Sequence, residues 1–404
     1  MSADIYSSLG AFLTNWRHNT TYFEMLRLMA SISHLFSESH TPYLDYRLTE
    51  NLFCKYFEAH NDARSCTAYD ARLARLGIGI KTFGINKGAS TEKIAEFNRL
   101  KPRLDGLSGI DLARQIGIFR NERMAFSNST YDVTETQYHI VGRQDGCLKV
   151  FNAPYDMVNI DSICDVVDKE ASISFNDGIN EYSFNKSKSV LLKRFYLPDD
   201  YVEVSVNILE EPLELLAQLL KTPSEPLAVQ AHSIAPVLTK VYPQEVKGID
   251  YVILPLYSKR GTPHIPERSG LNQWNAKGRP RDVNEVYIPI PKSIHNLYPH
   301  FFPGRDCPFE LVLPDGSSLS AKVCQDGGKA LMSNPNSALG EWILRKVLRK
   351  PVGEIVTIDD LYTYGIDSIK IVSTHTTNGS GEPVFKIIFT EEGYEDYSTF
   401  IDEE

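Results

Sequence analysis

The sequence predicts an α+β protein of two domains, with a mixed α/β half at residues 1–222 and a barrel-like β half at residues 223–404. The chain of 404 residues is long enough for two hydrophobic cores. Helical and strand patterns mix in the first half, whereas short strands separated by Gly, Pro and Asn fill the second, such as YVILPLYS and EVYIPIP. The intervening stretch PSEPLAVQAHSIAP has three prolines and little periodicity, which predicts a linker.

Composition excludes some functional classes and leaves others open. Hydrophobic residues make up 42% and charged residues 23% of the chain, as is usual in a globular protein. The net charge of −10 does not by itself indicate a nucleic-acid binder, so the clustering of basic residues decides that question. No apolar run reaches the roughly 18 residues of a membrane span, and no signal peptide is evident. The six cysteines lack a C-x-x-C pair, which argues against zinc sites and disulfides, so we expect a cytoplasmic protein with no membrane partner.

Four segments of the first half carry its predicted elements. RLTENLFCKYFEAH has apolar residues at the helical repeat and predicts a helix that includes Glu50. The run from Asp70 to Phe83 predicts strands in which glycines allow close backbone approach. STEKIAEFNRL predicts a further helix, with Ser90 as its N-cap and Glu92 in its first turn. ASISFNDGINEYSF predicts a hairpin around an Asn-Asp-Gly turn.

Asp70 and Lys81 are candidate active-site residues. Cleavage of a phosphodiester with Mg2+ needs carboxylates that hold the ion, an activated water and a cation near the scissile phosphate. Lys81 and Gly79 share one face of a predicted strand, and Asp70 can lie on the neighbouring strand. Metal-dependent nucleases normally carry Glu two positions before this Lys, where the present chain has Gly79. The chain is then a nuclease with its second carboxylate elsewhere or an inactive one, unless the pattern is a coincidence.

Two acidic residues could supply that second carboxylate. Glu50 lies beside the apolar stripe of its predicted helix, where an unpaired carboxylate is costly and should have a partner. Glu96 lies 15 residues after Lys81, on the predicted helix that follows. The alternative for Glu50 is a boundary position turned to solvent. Glu96 could instead form an exposed charged face with Glu92, and Lys81 could be a surface residue at a strand end.

The segments ENLFCKYF, AYDA, GIGIKTF and KIAEFN resemble the nuclease half of restriction endonucleases of the PD-(D/E)xK superfamily, over roughly residues 45 to 200 and including RNER at 120–123. Some members place the second carboxylate on the helix after the Lys strand. The resemblance implies that Asp70 and Glu96 are ligands of Mg2+. It also implies that Lys81 is the catalytic lysine and Glu50 an auxiliary acid. Basic residues near the end of this half would suit DNA phosphates or form a solvated face: Lys186, Lys188, Lys193 and Arg194.

A basic stretch in the second half predicts DNA binding. YSKRGTPHIPERSGLNQWNAKGRPRD interleaves basic residues with amide and aromatic side chains: Lys259, Arg260, Arg268, Asn272, Gln273, Trp274, Lys277, Arg279 and Arg281. Lys and Arg hold phosphates, while Arg, Asn and Gln make the bidentate contacts that distinguish bases. Glycine and proline predict a long loop or arm between strands. The alternative is a solvated basic loop with a packed tryptophan.

Most of residues 248–348 resemble the C-terminal DNA-binding domain of BfiI- and NgoFVII-type restriction enzymes, in segments such as GTPHIPERSGLNQW and FELVLPDGSSLSAKVC. That domain is a B3-like β pseudobarrel, related to plant B3 transcription factors and to the effector domain of EcoRII. The resemblance implies that the basic stretch is a first arm that grips the major groove. A second arm is implied around Gln325, Asp326, Lys329 and Asn334. The catalytic half of BfiI-type enzymes carries H-x-K, and none of the ten histidines here fits that motif.

These patterns predict a type II restriction endonuclease that binds a short specific sequence of double-stranded DNA and hydrolyses phosphodiester bonds with Mg2+. A PD-(D/E)xK-type nuclease core would occupy residues 1–222 and a B3-like reader residues 223–404. The expected partners are double-stranded DNA and a separately encoded cognate DNA methyltransferase. The sequence leaves open whether the chain forms a homodimer. Two alternatives remain at this point: a sequence-specific DNA-binding protein with an inactive nuclease-like half, and an endonuclease that requires methylated DNA.

Overall fold

A computed structural model describes residues 3–63, 67–221, 250–258 and 261–391 of the chain. The predicted linker and the predicted domain boundary at 222/223 lie outside the described residues, as do Lys259 and Arg260. The division into two domains therefore stays a prediction. Among the described helices, none combines the length and the apolar character that crossing a membrane requires.

The helices of the N-terminal half include the predicted one that carries Glu50. Asp45 caps that helix because its side chain accepts hydrogen bonds from two backbone N–H groups of the first turn. The stripe of Leu52, Phe53 and Phe57 is buried in the core, which confirms the predicted helical repeat. The helices are α1 (Leu9–Asn15), α2 (Thr20–Ser31), α3 (Tyr46–Phe57), α4 (Lys101–Leu104), α5 (Gly109–Tyr131) and α6 (Pro212–Lys221).

In the described part of this half, the strands form two sheets, with the orders β1-β2-β3-β5-β6-β11 and β4-β10-β9-β8-β7. β3 and β5 run parallel, and α5 makes the crossover that such a pair needs. The predicted hairpin is confirmed as β8 and β9. The strands are β1 (His60–Asn61), β2 (Ala71–Leu73), β3 (Leu76–Gly84), β4 (Ala89–Glu96), β5 (Glu135–Gln144), β6 (Cys147–Pro154), β7 (Cys164–Asp168), β8 (Ser172–Asn176), β9 (Glu181–Asn185), β10 (Val190–Tyr196) and β11 (Val202–Ser205).

The predicted helix over STEKIAEFNRL is wrong in most of its length, because residues Ala89–Glu96 form strand β4. This strand pairs antiparallel with β10, from Ala89 opposite Tyr196 to Glu96 opposite Val190. Ser90 does not cap a helix, since its hydroxyl donates to the carboxylate of Glu92. The backbone groups of the segment are satisfied by a strand about 100 residues away in sequence, and such tertiary pairing overrides local preference.

The described part of the C-terminal half contains a sheet with the order β12-β17-β18-β14-β15-β16-β13. Its two edge strands contact each other, so the sheet is curled, as a barrel-like β domain requires. A core of Phe309, Trp342 and Phe385 fills its interior. The strands are β12 (Tyr251–Pro255), β13 (Ile288–Pro289), β14 (Pro308–Val312), β15 (Ser318–Cys324), β16 (Ala330–Ser333), β17 (Ser368–Thr377) and β18 (Pro383–Thr390). The helices are α7 (Lys292–Leu297), α8 (Ala338–Gly340), which continues as a π-helix over Glu341–Val347, and α9 (Ile358–Tyr364).

Helix α5 joins the two halves. Phe126 on this helix is buried in the C-terminal core, where its ring stacks on Tyr364 with 5.2 Å between the ring centroids. Arg99 donates to the buried carboxylate of Asp367 at 2.6 Å, next to this contact. One side of the N-terminal half therefore faces α9 of the C-terminal half across a shared boundary.

Candidate active site and DNA-binding surface

Asp70 directly precedes strand β2, and it lies next to Lys81 on the neighbouring strand β3. The Nζ atom of Lys81 lies 3.6 Å from Oδ2 of Asp70. The same oxygen accepts the backbone N–H of Ile80 at 2.7 Å, and the backbone N–H of Asp70 donates to Ile78 at 2.9 Å. These two hydrogen bonds fix the carboxylate beside the glycine-spaced strand. The structure thus brings together the acid and the lysine of the sequence pattern, while their catalytic roles stay a prediction.

Glu50 is the second carboxylate near this pair. It is only 6% exposed, so the alternative that places it in solvent is wrong. Burial and the negative charge of Asp70 raise the pKa of Glu50 to about 7, and Arg47 and Lys81 oppose the shift. Arg47 approaches Glu50 no closer than 4.0 Å, which leaves the carboxylate poorly compensated.

Glu96, the other candidate for the second carboxylate, has local partners of its own. Its side chain, at the end of β4, pairs with Lys93 and accepts a hydrogen bond from Asn98. The hydrogen bond from Lys93 holds the pKa of Glu96 below its usual value. The expectation that Glu96 lies on a helix is wrong, and its carboxylate serves a local ion pair instead of joining Asp70.

Aromatic rings fill the space in front of Gly79. A Cβ atom at this position would lie 2.7 Å from the ring of Tyr155 and 2.8 Å from that of Tyr138. These two rings stack with their centroids 3.8 Å apart. The hydroxyl of Tyr155 donates to the backbone carbonyl of Ala68, which fixes its ring there. The usual Glu is therefore excluded by packing, and the second acid cannot come from β3.

A cleft of about 300 Å³ contains Asp70 and Lys81 and opens between the two halves. Helix α5 contributes Arg120, Arg123 and Ser127, and the C-terminal half contributes Tyr364, Gly365 and Glu391. The remaining lining residues are Thr67, Ala68, Ile94, Ala95 and Tyr155. Sequence reasoning assigned no role to the two arginines of α5. The sequence does contain a signal for Arg120. It lies four residues after Ile116 and four before Met124, so a charged residue occupies the apolar stripe of the helix.

The donor set near Asp70 fits Mg2+, which prefers carboxylate oxygens and keeps several waters. Asp70 and Glu50 are two carboxylates close enough to raise the pKa of Glu50, a repulsion that a bound cation would relieve. Among the described residues, no group of three or more His, Cys, Asp and Glu side chains converges. Water and phosphate oxygens would have to complete the coordination sphere.

The basic run near the end of the N-terminal half is divided between different environments. Lys193 is buried, and its Nζ donates to the carbonyl of Pro154 at 3.1 Å, so it does not lie on a surface open to backbone phosphates. Lys186 pairs with Asp168 at 2.5 Å. Lys188 and Arg194 are exposed. Of these four basic residues, Lys188 and Arg194 therefore stay candidates for contacts with DNA phosphates.

In the predicted first arm, Asn272 is fully buried, with 0% exposure. Its amide donates to the carbonyls of Pro266 at 3.1 Å and Val356 at 2.9 Å, and its oxygen accepts the N–H of Val356 at 2.8 Å. The side chain has these partners inside the protein, so it is not available to a base in this structure. Asn272 instead ties the arm to the segment that precedes α9.

Arg279 and Arg281 share one buried carboxylate. Glu285 accepts Nη2 of Arg279 at 2.6 Å and lies 3.4 Å from Nε of Arg281. Arg281 also donates to the backbone carbonyl of Ala276 at 2.8 Å and is mostly buried. Arg281 therefore braces the loop, whereas the guanidinium of Arg279 keeps an exposed side that DNA can reach.

The other described arm residues differ in exposure. Trp274 packs against the core as the alternative interpretation expected, and Gln273 is half-buried. Asp326 in the second arm forms an ion pair with Arg305 at 3.2 Å, and Gln325 before it is half-buried. The exposed predicted DNA contacts of the two arms are Arg268, Lys277, Arg279, Asp326, Lys329 and Asn334.

The C-terminal half is therefore a curled β domain with exposed basic residues on its loops. Residues 244–375 match the family model of the NgoFVII C-terminal B3-like DNA-binding domain, which is a restriction-enzyme domain. The match covers about a third of the chain and confirms the predicted resemblance of this half. It supports sequence-specific binding of double-stranded DNA in a restriction system. Comparison with curated protein sequences gives no significant match.

Proposed function

We propose that the chain is a type II restriction endonuclease that reads a short DNA sequence with its C-terminal half and cleaves with Mg2+ in the cleft of the N-terminal half. The observation that carries the proposal is the grouping of Asp70, Glu50 and Lys81 in a chain that also contains a restriction-enzyme DNA-binding domain. A nuclease core of the PD-(D/E)xK type belongs to this proposal. In it, Glu50 takes the role that the resemblance gave to Glu96.

The residues of the site have separate tasks in the proposed reaction. Asp70 and Glu50 would hold Mg2+, which supplies charge neutralisation at the phosphate and lowers the pKa of a bound water. The backbone N–H of Ile80 orients the Asp70 carboxylate. Lys81, 3.6 Å from Asp70, places its ammonium where it can offset negative charge that develops on the phosphate.

A restriction enzyme must spare the DNA of its host. The proposal therefore includes a separately encoded methyltransferase that modifies the same sequence. It also includes a homodimer, because two copies related by a twofold axis match the symmetry of two antiparallel DNA strands.

A second candidate is a sequence-specific DNA-binding protein with an inactive nuclease-like half. Gly79 favours it, since Tyr138 and Tyr155 occupy the space of the usual Glu. The buried, poorly compensated Glu50 beside Asp70 argues for activity, because a vestigial site has no reason to keep that cost.

Incubation of the full-length chain with unmodified and methylated phage DNA separates these candidates. We expect discrete fragments with Mg2+, none with EDTA, and none with Asp70→Asn. Asp132→Asn is the matched control, because Asp132 pairs with Arg75 on the surface at 3.1 Å, and it should cut normally. Specific binding without any cleavage would establish the binding protein, and cleavage of methylated DNA alone would establish the methylation-dependent enzyme.

A further inference from the structure

Arg120 occupies an unusual position for a charged residue. It lies on the apolar stripe of α5 and is only 3% exposed. Its guanidinium carbon lies 5.0 Å from the centroid of the Tyr155 ring, which is the ring that also blocks Gly79. The residue lines the cleft that contains Asp70 and Lys81. A buried cation therefore reaches the candidate active site from the helix side.

Arg120 has no acidic partner in the described part of the chain. The groups that interact with its charge include the side chains of Tyr155, Tyr138 and Tyr69. Its Nε–H has no hydrogen-bond partner among the described residues. By contrast, Arg123 one turn later donates to the backbone carbonyl of Glu96 at 2.6 Å.

A second buried cation increases the positive charge behind the cleft. Burial lowers the pKa of Lys193 to about 8, with Asp156 opposing this shift and the charge of Arg120 adding to it. Its Nζ atom lies 5.5 Å from the centroid of the Tyr138 ring, the ring that stacks on Tyr155. Arg120 lines the cleft together with Lys81 and Asp70, and the charge of Lys193 acts on Arg120 from behind the two stacked tyrosine rings.

A buried guanidinium without an acidic partner is costly, and stacking on a tyrosine offsets part of that cost. An anion that binds next to the guanidinium would offset the remaining cost of its burial. The planar fork of an arginine matches two oxygens of a phosphate, and an exposed surface lysine offers no such geometry. We propose that Arg120 binds a phosphate group of the DNA backbone in this cleft, beside Asp70 and Lys81. The ligand's identity as a DNA phosphodiester rests on the proposed function, whereas the anion site stands on Arg120 itself.

Inorganic phosphate serves as the first probe, with the full-length chain in EDTA. Thermal unfolding is followed as sodium phosphate replaces sodium chloride at constant ionic strength and pH. A site that binds phosphate only in the folded state raises Tm in step with the logarithm of phosphate concentration. We expect this slope for the wild type and for Arg114→Gln, an exposed arginine on the same helix. Arg120→Gln should bind phosphate at least about tenfold more weakly, since a charge-assisted contact is lost.

The dependence of Tm on phosphate concentration distinguishes phosphate binding from a structural role. If Arg120 were only structural, Arg120→Gln would lower Tm by the same amount at every phosphate concentration. If Arg120→Gln fails to fold, Arg120→Lys keeps the charge but loses the fork, and it should show a reduced slope. A wild-type Tm that depends on ionic strength alone overturns the proposal. Equal slopes in the wild type and in the folded Arg120 variant overturn it as well.

Cleavage assays distinguish this inference from the proposed function. If the wild type cuts no DNA but shows a phosphate slope that Arg120→Gln loses, the anion site stands and the nuclease does not. If the wild type cuts DNA, Arg120→Gln should lower the cleavage rate at saturating DNA by at least about tenfold, with specific binding unchanged. Cleavage at the wild-type rate by Arg120→Gln overturns the inference and leaves the nuclease intact.

Discussion

Glu50, beside Asp70, is buried with weak charge compensation, and Arg120 in the cleft is buried with no acidic partner among the described residues. The C-terminal arm, by contrast, buries Glu285 with two arginines around it. A carboxylate that is paired inside a loop holds that loop in shape and needs nothing further. A buried charge without a partner in a cleft is kept at a cost in stability, and this cost is repaid when a ligand supplies the opposite charge. The contacts of Arg281 are those of a structural residue, whereas the poorly compensated charges at the cleft are the ones that we propose bind ligands.

The largest expected effect concerns the lysine of the cleft. Lys81→Ala should lower the cleavage rate by about a thousandfold or more, because the cation next to the reacting phosphate is removed. Specific DNA binding should persist, since base reading lies in the other half. Lys87→Ala, an exposed lysine just after β3, is the control. A gel assay of cleavage with Mg2+, beside a binding assay in EDTA, measures both; normal cutting by Lys81→Ala would remove this residue from the site.

The next prediction decides between the two candidate acids. Glu50→Gln should lower the cleavage rate by about a hundredfold or more, since a metal ligand beside Asp70 is lost. Glu96→Gln should change it little, because Glu96 pairs with Lys93 at the end of β4. Single-turnover cleavage rates of the two variants test this directly. The reverse result would restore the expectation from the family resemblance and show that β4 rearranges on DNA.

The pKa of Glu50 predicts a dependence of stability on pH. Its value of about 7 in the folded protein lies above the ordinary 4.5, so the folded state binds this proton more tightly than the unfolded state. The contribution to stability is present below about pH 4.5 and is lost as the pH rises to about 7. In EDTA at pH 8, Glu50→Gln should therefore be more stable than the wild type by up to about 3 kcal/mol, with no difference at pH 4.

Mg2+ sharpens this test. Added at pH 8, it should raise Tm of the wild type more than that of Glu50→Gln, because the ion relieves the repulsion between two carboxylates only in the wild type. Denaturant unfolding at pH 4 and pH 8 gives the first quantity, and thermal unfolding with and without Mg2+ the second. Equal stability of the two proteins at pH 8 would show that Glu50 is compensated.

The sequence predicted the parts of the site that depend on local pattern. Asp70 and Lys81 are neighbours because a short turn and a glycine-spaced strand bring them together, and both features are visible in the letters. The helical repeat around Glu50 likewise placed its carboxylate against an apolar stripe. These inferences needed no knowledge of distant segments.

The errors arise where a distant segment decides the structure. Ile94 and Phe97 have the i, i+3 spacing of a helix, but pairing with β10 makes residues Ala89–Glu96 a strand. Asn272 looked like a base-reading amide because its loop is basic, but Val356, 84 residues later, takes its hydrogen bonds. Arg120 was not assigned because its significance depends on which side chains pack around it, and among the described residues these include three tyrosines and no acidic partner.

Asn272 provides a test of the structural side of the comparison. Asn272→Ala should lower the free energy of unfolding by about 1–3 kcal/mol, because buried backbone groups of Val356 lose their partner. Asn275→Ala should lower the free energy of unfolding less, because Asn275 is exposed and its amide donates a hydrogen bond to the carbonyl of Glu267. Denaturant unfolding of both variants measures this. A change in DNA sequence preference with unchanged stability would return Asn272 to the base-reading residues.

The smallest expected effect concerns the exposed residues of the arm, which separate base reading from phosphate holding. Arg268→Ala should cost about 1–3 kcal/mol at one base position and relax the sequence preference there, as the loss of a bidentate contact does. Lys277→Ala should weaken binding to all sequences alike and flatten the dependence of log affinity on log salt by about one unit. Selection of random duplexes by the full-length chain in EDTA, followed by salt titrations, measures both. Both side chains are exposed, so neither change should alter stability. If Arg268→Ala keeps the full preference, the sequence is read by other residues of the two arms, and the basic residues of this loop hold phosphates only.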